Sequence, residues 1–310
     1  MPGIKPSLDQ EQVLSLLYKH FADPSINLSE MEGGQVAQTF VFTVNGQDYV
    51  LRFITNRMGA TFAKEAYLQR RLDLRIPLPP IIHTGSFQEQ YYAISHRVPG
   101  KPMIQLSWTE YEQVVPSLIE MVDAIHHADV SGTEGYGVFN DQGAGMFSSW
   151  KQFLSSVREE EEENDFYGKW HVLFQETFLE REVFDFIYDH MLALLDACPE
   201  DRFLLHGGPG HGNVIVHAGK ITGVIDWLDA QYGDFVHDIA ALDLWVPEIR
   251  FAERFQQYYA AQGISVPAYA ERLRCYECHI GLDALRFFAK ARDESAYQWT
   301  CQRILSLLGK

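Results

Sequence analysis

Four glycines crowd into the seven residues from His206 to Gly212, and the chain then runs straight into two short apolar segments that must fold back on each other. Val214-Ile215-Val216 and Ile221-Thr222-Gly223-Val224-Ile225 are rich in β-branched residues, and His217-Ala218-Gly219-Lys220 between them holds a turn glycine. That pattern is a hairpin. A hairpin returns the chain to where it started, so Asn213 and Asp226, at its two open ends, are expected side by side. A carboxylate next to an amide oxygen is suited to Mg²⁺, which protein commonly holds through one or two carboxylates together with substrate phosphates. The glycine-rich loop ahead of the hairpin lets backbone come close to a phosphoryl group.

Gly233-Asp234, with Asp238 four residues later, follows the hairpin. The run His206-Gly207, Asn213, the hairpin, Ile225-Asp226-Trp227 and then Gly233-Asp234 with Asp238 resembles the aminoglycoside phosphotransferase family, small-molecule relatives of the protein kinases. The resemblance implies an α+β, bilobal protein-kinase-like fold with a small β-rich N-lobe and a larger, mostly helical C-lobe. It implies residues 1–95 as a nucleotide-binding lobe and 96–310 as a catalytic and substrate-binding lobe, hinged at about 95–98. Asn213 and Asp226 would be the Mg²⁺ ligands, ATP (or GTP) the cosubstrate, His206 a support for the loop, and Asp234 and Asp238 its braces. The family carries an aspartate as catalytic base where this chain has Gly208.

Upstream, Phe40 to Val44 and Tyr49 to Phe53 flank Asn45-Gly46, a strong hairpin signal. Gly33-Gly34 just before it reads either as a flexible nucleotide-covering loop or as an ordinary one. In kinases a lysine on the second of these strands holds the phosphates and pairs with a glutamate on the next helix. Here the strand carries Arg52, and Glu65 on the following helical segment is the expected partner. Arginine keeps the charge and offers a bidentate fork. Ile81 to His83 and Tyr91 to Ser95 read as strands, and Ser95 to Val98, with Ser95 and Arg97, would be the hinge whose backbone meets an adenine edge. Helices are expected over 8–22, 111–128, 178–195, 240–261, 269–292 and 297–308.

Net charge is −17, from 42 acids and 25 bases, which disfavours nucleic acid as a partner and suits a cation. Aminoglycosides are polycations. Five consecutive glutamates, Glu159 to Glu163, read as a solvated helix face or, alternatively, as an acidic wall for a cationic sugar. Asp229, Glu277 and Asp283 are candidates to meet substrate amines. No apolar run is long enough to span a bilayer and no signal-like segment opens the chain, so a cytoplasmic monomer without a membrane partner is expected. The four cysteines are too sparse for a disulfide framework; Cys275 and Cys278 read as helical core residues.

The runs 49–53, 135–150 and 223–233 resemble the hygromycin B branch of the family most closely, which implies transfer of a phosphoryl group to a hydroxyl of such an antibiotic. Gly208 sets the difficulty, because a general base is worth about 10²–10⁴ in rate. His206 and His211 are the nearby groups that can hold a proton. Three accounts are open: an enzyme inactivated by replacement of the aspartate, a natural protein that binds nucleotide or drug without turnover, and a slow kinase working by positioning alone. Choline-like or amino-sugar metabolites are the other substrates considered.

Overall fold

The computed structural model describes residues 5–23, 25–32, 36–55, 61–71, 76–163, 165–210 and 212–310. Gly33, Gly34 and His211 therefore lie outside the described residues.

Helix α1 (Gln10–His20) opens on a capping box between Asp9 and Gln12. Five antiparallel strands follow: β1 (Asn27–Glu30), β2 (Gln38–Val44), β3 (Gln47–Thr55), β4 (Ile81–Phe87) and β5 (Gln90–His96), in the order β1-β2-β3-β5-β4. Asn45 and Gly46 both take positive φ in the β2–β3 turn, as a two-residue hairpin of this hand requires. Strict alternation along β2 turns Phe40, Phe42 and Val44 inward against Val13, Leu16 and Leu17 of α1. Helix α2 (Thr61–Arg71) crosses beside β4 and β5, with Phe62 against Ile54 and Ala93.

After His96 the chain leaves this sheet. Strand β6 (Lys101–Pro102) pairs with the central hairpin, and α3 (Trp108–His126) starts from a second capping box, Ser107 with Glu110. Then come β7 (Tyr136–Phe139), β8 (Gly145–Phe147), the short helices α4 (Trp150–Ser155) and α5 (Leu173–Glu176), and α6 (Arg181–Leu194). Strand β9 (Phe203–Leu205) leads to the hairpin β10 (Val214–His217) and β11 (Lys220–Val224), then β12 (Gln231–Gly233). Strands β8, β7, β12 and β9 form a small four-stranded sheet that the sequence patterns did not announce.

The rest is helical: α7 (Val236–Trp245), α8 (Phe251–Ala261), α9 (Tyr269–Ala291) and α10 (Glu294–Leu307). Helix α7 is apolar nearly all round and buried from Val236 to Ala241, as befits a helix inside a bundle. Helix α9 packs against α6, α7 and α10, with Cys275, Tyr276, Cys278, Leu282 and Leu285 in the core. All four cysteines are buried free thiols. None of the described helices is long and apolar enough to cross a membrane.

Two expectations are corrected. Residues 240–261 are not one helix: α7 stops at Trp245, Pro247 begins a single 3₁₀ turn, and α8 restarts after Arg250 in a left-handed conformation. At Pro247 the missing N–H suits the free first position of a helical turn, whereas carrying α7 through it would lose a hydrogen bond and set the ring against the turn before. The glutamate run is not a helix face either. After Arg158 the chain is irregular, and the glutamates serve as acceptors: Glu161 takes the Tyr167 N–H and Glu160 the His171 N–H.

Candidate active site

The hairpin delivers its two ends together. Val214 faces Val224 in the β10–β11 register, and one step further the Ile225 N–H donates to the Asn213 carbonyl at 2.9 Å. Asn213 donates its side-chain NH₂ to the Gly208 carbonyl at 3.0 Å, which leaves the amide oxygen as its unused acceptor. Asp226 has φ 62°, in the left-handed region that costs a non-glycine residue about 1–2 kcal/mol. Its side chain is open to solvent although protein surrounds it closely. Burial raises its pKa, and the nearby Glu65 raises it further, with Arg52 opposing both. A divalent cation would relieve that charge. The donor set, one amide oxygen and one carboxylate, fits Mg²⁺ bound with phosphate oxygens.

Arg52 and Glu65 meet as the sequence implied. The guanidinium grips both carboxylate oxygens, at 2.9 and 2.5 Å, while packing over the Phe62 ring. The contact joins β3 to α2 and sits within electrostatic reach of Asp226. Burial makes the pair costly to break from one side.

The loop is held from behind. Asp238, fully buried on α7, accepts the backbone N–H of His206 at 2.8 Å and of Gly207 at 2.9 Å, and the His126 ring at 3.2 Å. His206 is buried too, with its Nε2 on the Ile225 carbonyl at 3.1 Å and its ring against Trp227. Burial lowers its pKa, so it stays neutral and structural. Asp234 departs from its expected role as a brace: Arg272 and the Tyr276 hydroxyl hold it, and it ties α9 to the start of α7 without touching the loop.

Gly208 stands where an added Cβ would meet nothing within 4 Å among the described residues. Gly207 is the opposite case. Its φ is +85°, and a Cβ there would lie 2.0 Å from the Asp229 carbonyl oxygen and 2.9 Å from the Asp229 Cβ. The 206–208 loop and the 226–230 segment are thus pressed together at a glycine.

Asp229 lies within electrostatic reach of both Asp226 and Asp283, whose charges oppose its own. Burial, then Asp226 and Asp283, push the Asp229 pKa up to about 7, while Lys64 pulls the other way. Asp283 pairs with Arg286 at 2.7 Å, and its main-chain carbonyl accepts the Tyr167 hydroxyl. Glu161, from the acidic run, lies within electrostatic reach of Arg286. Glu277 does not join this group. It is buried beside Arg274, with Asp243 and Arg303 as its other charged neighbours.

Ser95 is buried in β5, and the two backbone amides after it are already used: His96 N–H reaches the Pro80 carbonyl and Arg97 N–H the Asp48 carbonyl, each at 3.0 Å. The Arg97 side chain is exposed. An adenine at this turn would need an amide further along, at Val98 or beyond.

Lys64 was missed. Its ammonium is buried on the Phe139 ring and donates to the carbonyls of Leu228 and Ala230 at 2.8 and 2.5 Å. Burial lowers its pKa to about 7. It clamps α2 onto the segment between the hairpin and β12. The sequence held no signal for this beyond a lysine next to Glu65, because the acceptors are backbone carbonyls more than 160 residues away.

The model of the phosphotransferase enzyme family matches residues 27–274. The hygromycin-B 4-O-kinase of Escherichia coli is 32% identical over 286 residues, which cover 91% of this chain and 80% of that protein. The crystal structure of aminoglycoside phosphotransferase APH(4)-Ia superposes with a TM-score of 0.82 at 27% identity, covering 97% of this chain and 98% of that one. A thermostable mutant of it, in ternary complex with AMP-PNP and hygromycin B, gives 0.81 at 28% identity, covering 96% and 98%. The chain therefore belongs to the phosphotransferase enzyme family, with that family's kinase-like fold.

Proposed function

We propose that this chain transfers the terminal phosphoryl group of ATP to a hydroxyl of an aminoglycoside of the hygromycin B kind. The observation that carries the reading is the backbone hydrogen bond from Ile225 to Asn213, which brings Asp226 to the same end of the β10–β11 hairpin as Asn213, within electrostatic reach of the Arg52–Glu65 pair. The likeness to a hygromycin-B 4-O-kinase, and to a related enzyme seen with AMP-PNP and hygromycin B, supports both substrates.

In this reading residues 1–95 form the nucleotide lobe and 96–310 the catalytic and substrate lobe. Mg²⁺, held by Asn213 and Asp226, supplies charge neutralisation on the phosphate oxygens. Arg52 is the phosphate-facing cation of the sheet, kept in place by Glu65. The loop 206–208, fixed by Asp238, presents its backbone to the transferring group. Asp283 and Glu161, near Arg286, give the sugar side an acidic character suited to amines. Phosphoryl transfer depends mainly on positioning and charge stabilisation, which these residues provide without any side chain at 208.

The test is release of ADP from ATP and Mg²⁺ on addition of hygromycin B. Antibiotic-dependent ADP is expected, with phosphorylated antibiotic as the coupled product. Absence of any antibiotic-dependent ADP, in both the native chain and Gly208→Asp, with choline or amino sugars turned over instead, overturns the substrate assignment.

A further inference from the structure

A kinase of this design gains about 10²–10⁴ in rate from a group that takes the proton of the acceptor hydroxyl, and Gly208 cannot supply one. We propose that Asp229, three residues beyond the metal-facing aspartate, is the general base of this enzyme. The inference rests on the phosphotransferase reading above and names the residue that completes it.

Among the described residues, the other acids near the loop are committed. Asp238 is buried and accepts from His206, Gly207 and His126. The His206 ring is on the Ile225 carbonyl and against Trp227. Asp234 is gripped by Arg272 and Tyr276. Asp283 is paired with Arg286, and Asp226 is the carboxylate of the metal position. Among the described residues, Asp229 has no hydrogen-bond partner for its carboxylate and no ion pair within 4 Å, and its side chain keeps access to solvent although protein surrounds it closely.

Its place is defined by contact. The Asp229 Cβ would lie 2.9 Å from a Cβ at Gly207, so the Asp229 side chain departs right beside the 207–208 peptide. A Cβ at 208 would meet nothing within 4 Å, so the room a side chain there would fill is free. Asp229 thus leaves the chain beside the peptide that precedes Gly208, within electrostatic reach of Asp226, Asp283 and Lys64. Its backbone is firmly set: Lys64 binds the carbonyls of both flanking residues, Leu228 and Ala230.

The step balances. The acceptor oxygen forms a bond to the γ-phosphorus while the bond from that phosphorus to the β–γ bridging oxygen breaks. The hydroxyl proton passes to the Asp229 carboxylate, ADP leaves with the bridging electron pair, and Asp229 returns the proton to solvent.

The experiment is steady-state kinetics with ATP, Mg²⁺ and hygromycin B on the native chain, Asp229→Asn, Gly208→Asp and the double variant. Asp229→Asn is expected to lose at least about a hundredfold in kcat, with KM for both substrates changed by less than about threefold, as for a group needed only in the transition state. Gly208→Asp places a carboxylate in the free room, so the double variant is expected to regain kcat to within about tenfold of Gly208→Asp alone. A rise in KM for the antibiotic with kcat kept would make Asp229 an amine-binding residue and overturn the proposal. A native chain that is silent while Gly208→Asp turns over also overturns it, yet leaves the substrate reading standing. Silence of both removes the substrate reading, and this inference with it.

Discussion

Two adjacent glycines in the 206–212 loop have opposite reasons to be glycine. Gly207 lies in left-handed backbone with the Asp229 carbonyl where a methyl group would go. Gly208 has neither constraint: its φ is not positive and the surrounding space is open. Gly207→Ala should therefore cost at least about 2 kcal/mol, from the backbone strain and the forced parting of two loops. Gly208→Asp should leave stability within about 0.5 kcal/mol. Urea unfolding of the two variants beside the native chain checks both, and equal losses would contradict the assignment of the close approach. A Cβ at 208 thus has room in the backbone as it stands.

At the scale of elements, α7 and α9 are joined by a buried imidazole relay. Gln231 Nε2 lies 3.2 Å from His237 Nδ1, and His237 Nε2 lies 3.2 Å from His279 Nδ1. If the amide donates, each His Nδ1 is an acceptor, and protonation of either ring breaks the chain. Burial lowers both pKa values, His237 to about 4. The folded state then binds fewer protons than the unfolded one below the ordinary value of about 6.5, so stability is held above that pH and lost on the way down. Thermal unfolding should show a fall of on the order of 2 kcal/mol between pH 7 and pH 5, and His237→Gln should make that fall shallower. A pH response unchanged by His237→Gln would remove the relay from the explanation. The elements themselves were legible where a local pattern decides them. The Asn45-Gly46 turn, the 214–224 hairpin and α9 follow from turn chemistry and periodicity. The small sheet β8-β7-β12-β9 was not legible, because its strands run to only three or four residues and pair across long stretches of chain. The break at Pro247 was legible in principle. An apolar pattern carried across it hid a residue that favours the start of a helical turn over its interior.

For the whole molecule, the site is assembled from segments that are far apart in sequence and close in space. Arg52 and Glu65 come from β3 and α2, Lys64 reaches from α2 to the carbonyls of 228 and 230, and Asp238 reaches from α7 to the 206–208 loop. The residues of the hairpin and its loop could be read from the sequence because they are consecutive. The division of labour among the distant acids could not. Asp234 and Asp238 look alike in the sequence, yet one anchors α9 and the other the loop, and Glu277 turned out to be a buried partner of Arg274. The central claim is that Asn213 and Asp226 converge on one metal under a triphosphate. Calorimetric titration of a non-hydrolysable ATP analogue, with and without Mg²⁺, on the native chain and on Asp226→Asn tests it most directly. Binding to the native chain should tighten by at least about tenfold with Mg²⁺, and Asp226→Asn should lose that gain while keeping its fold. An equal Mg²⁺ gain in both proteins would contradict the claim.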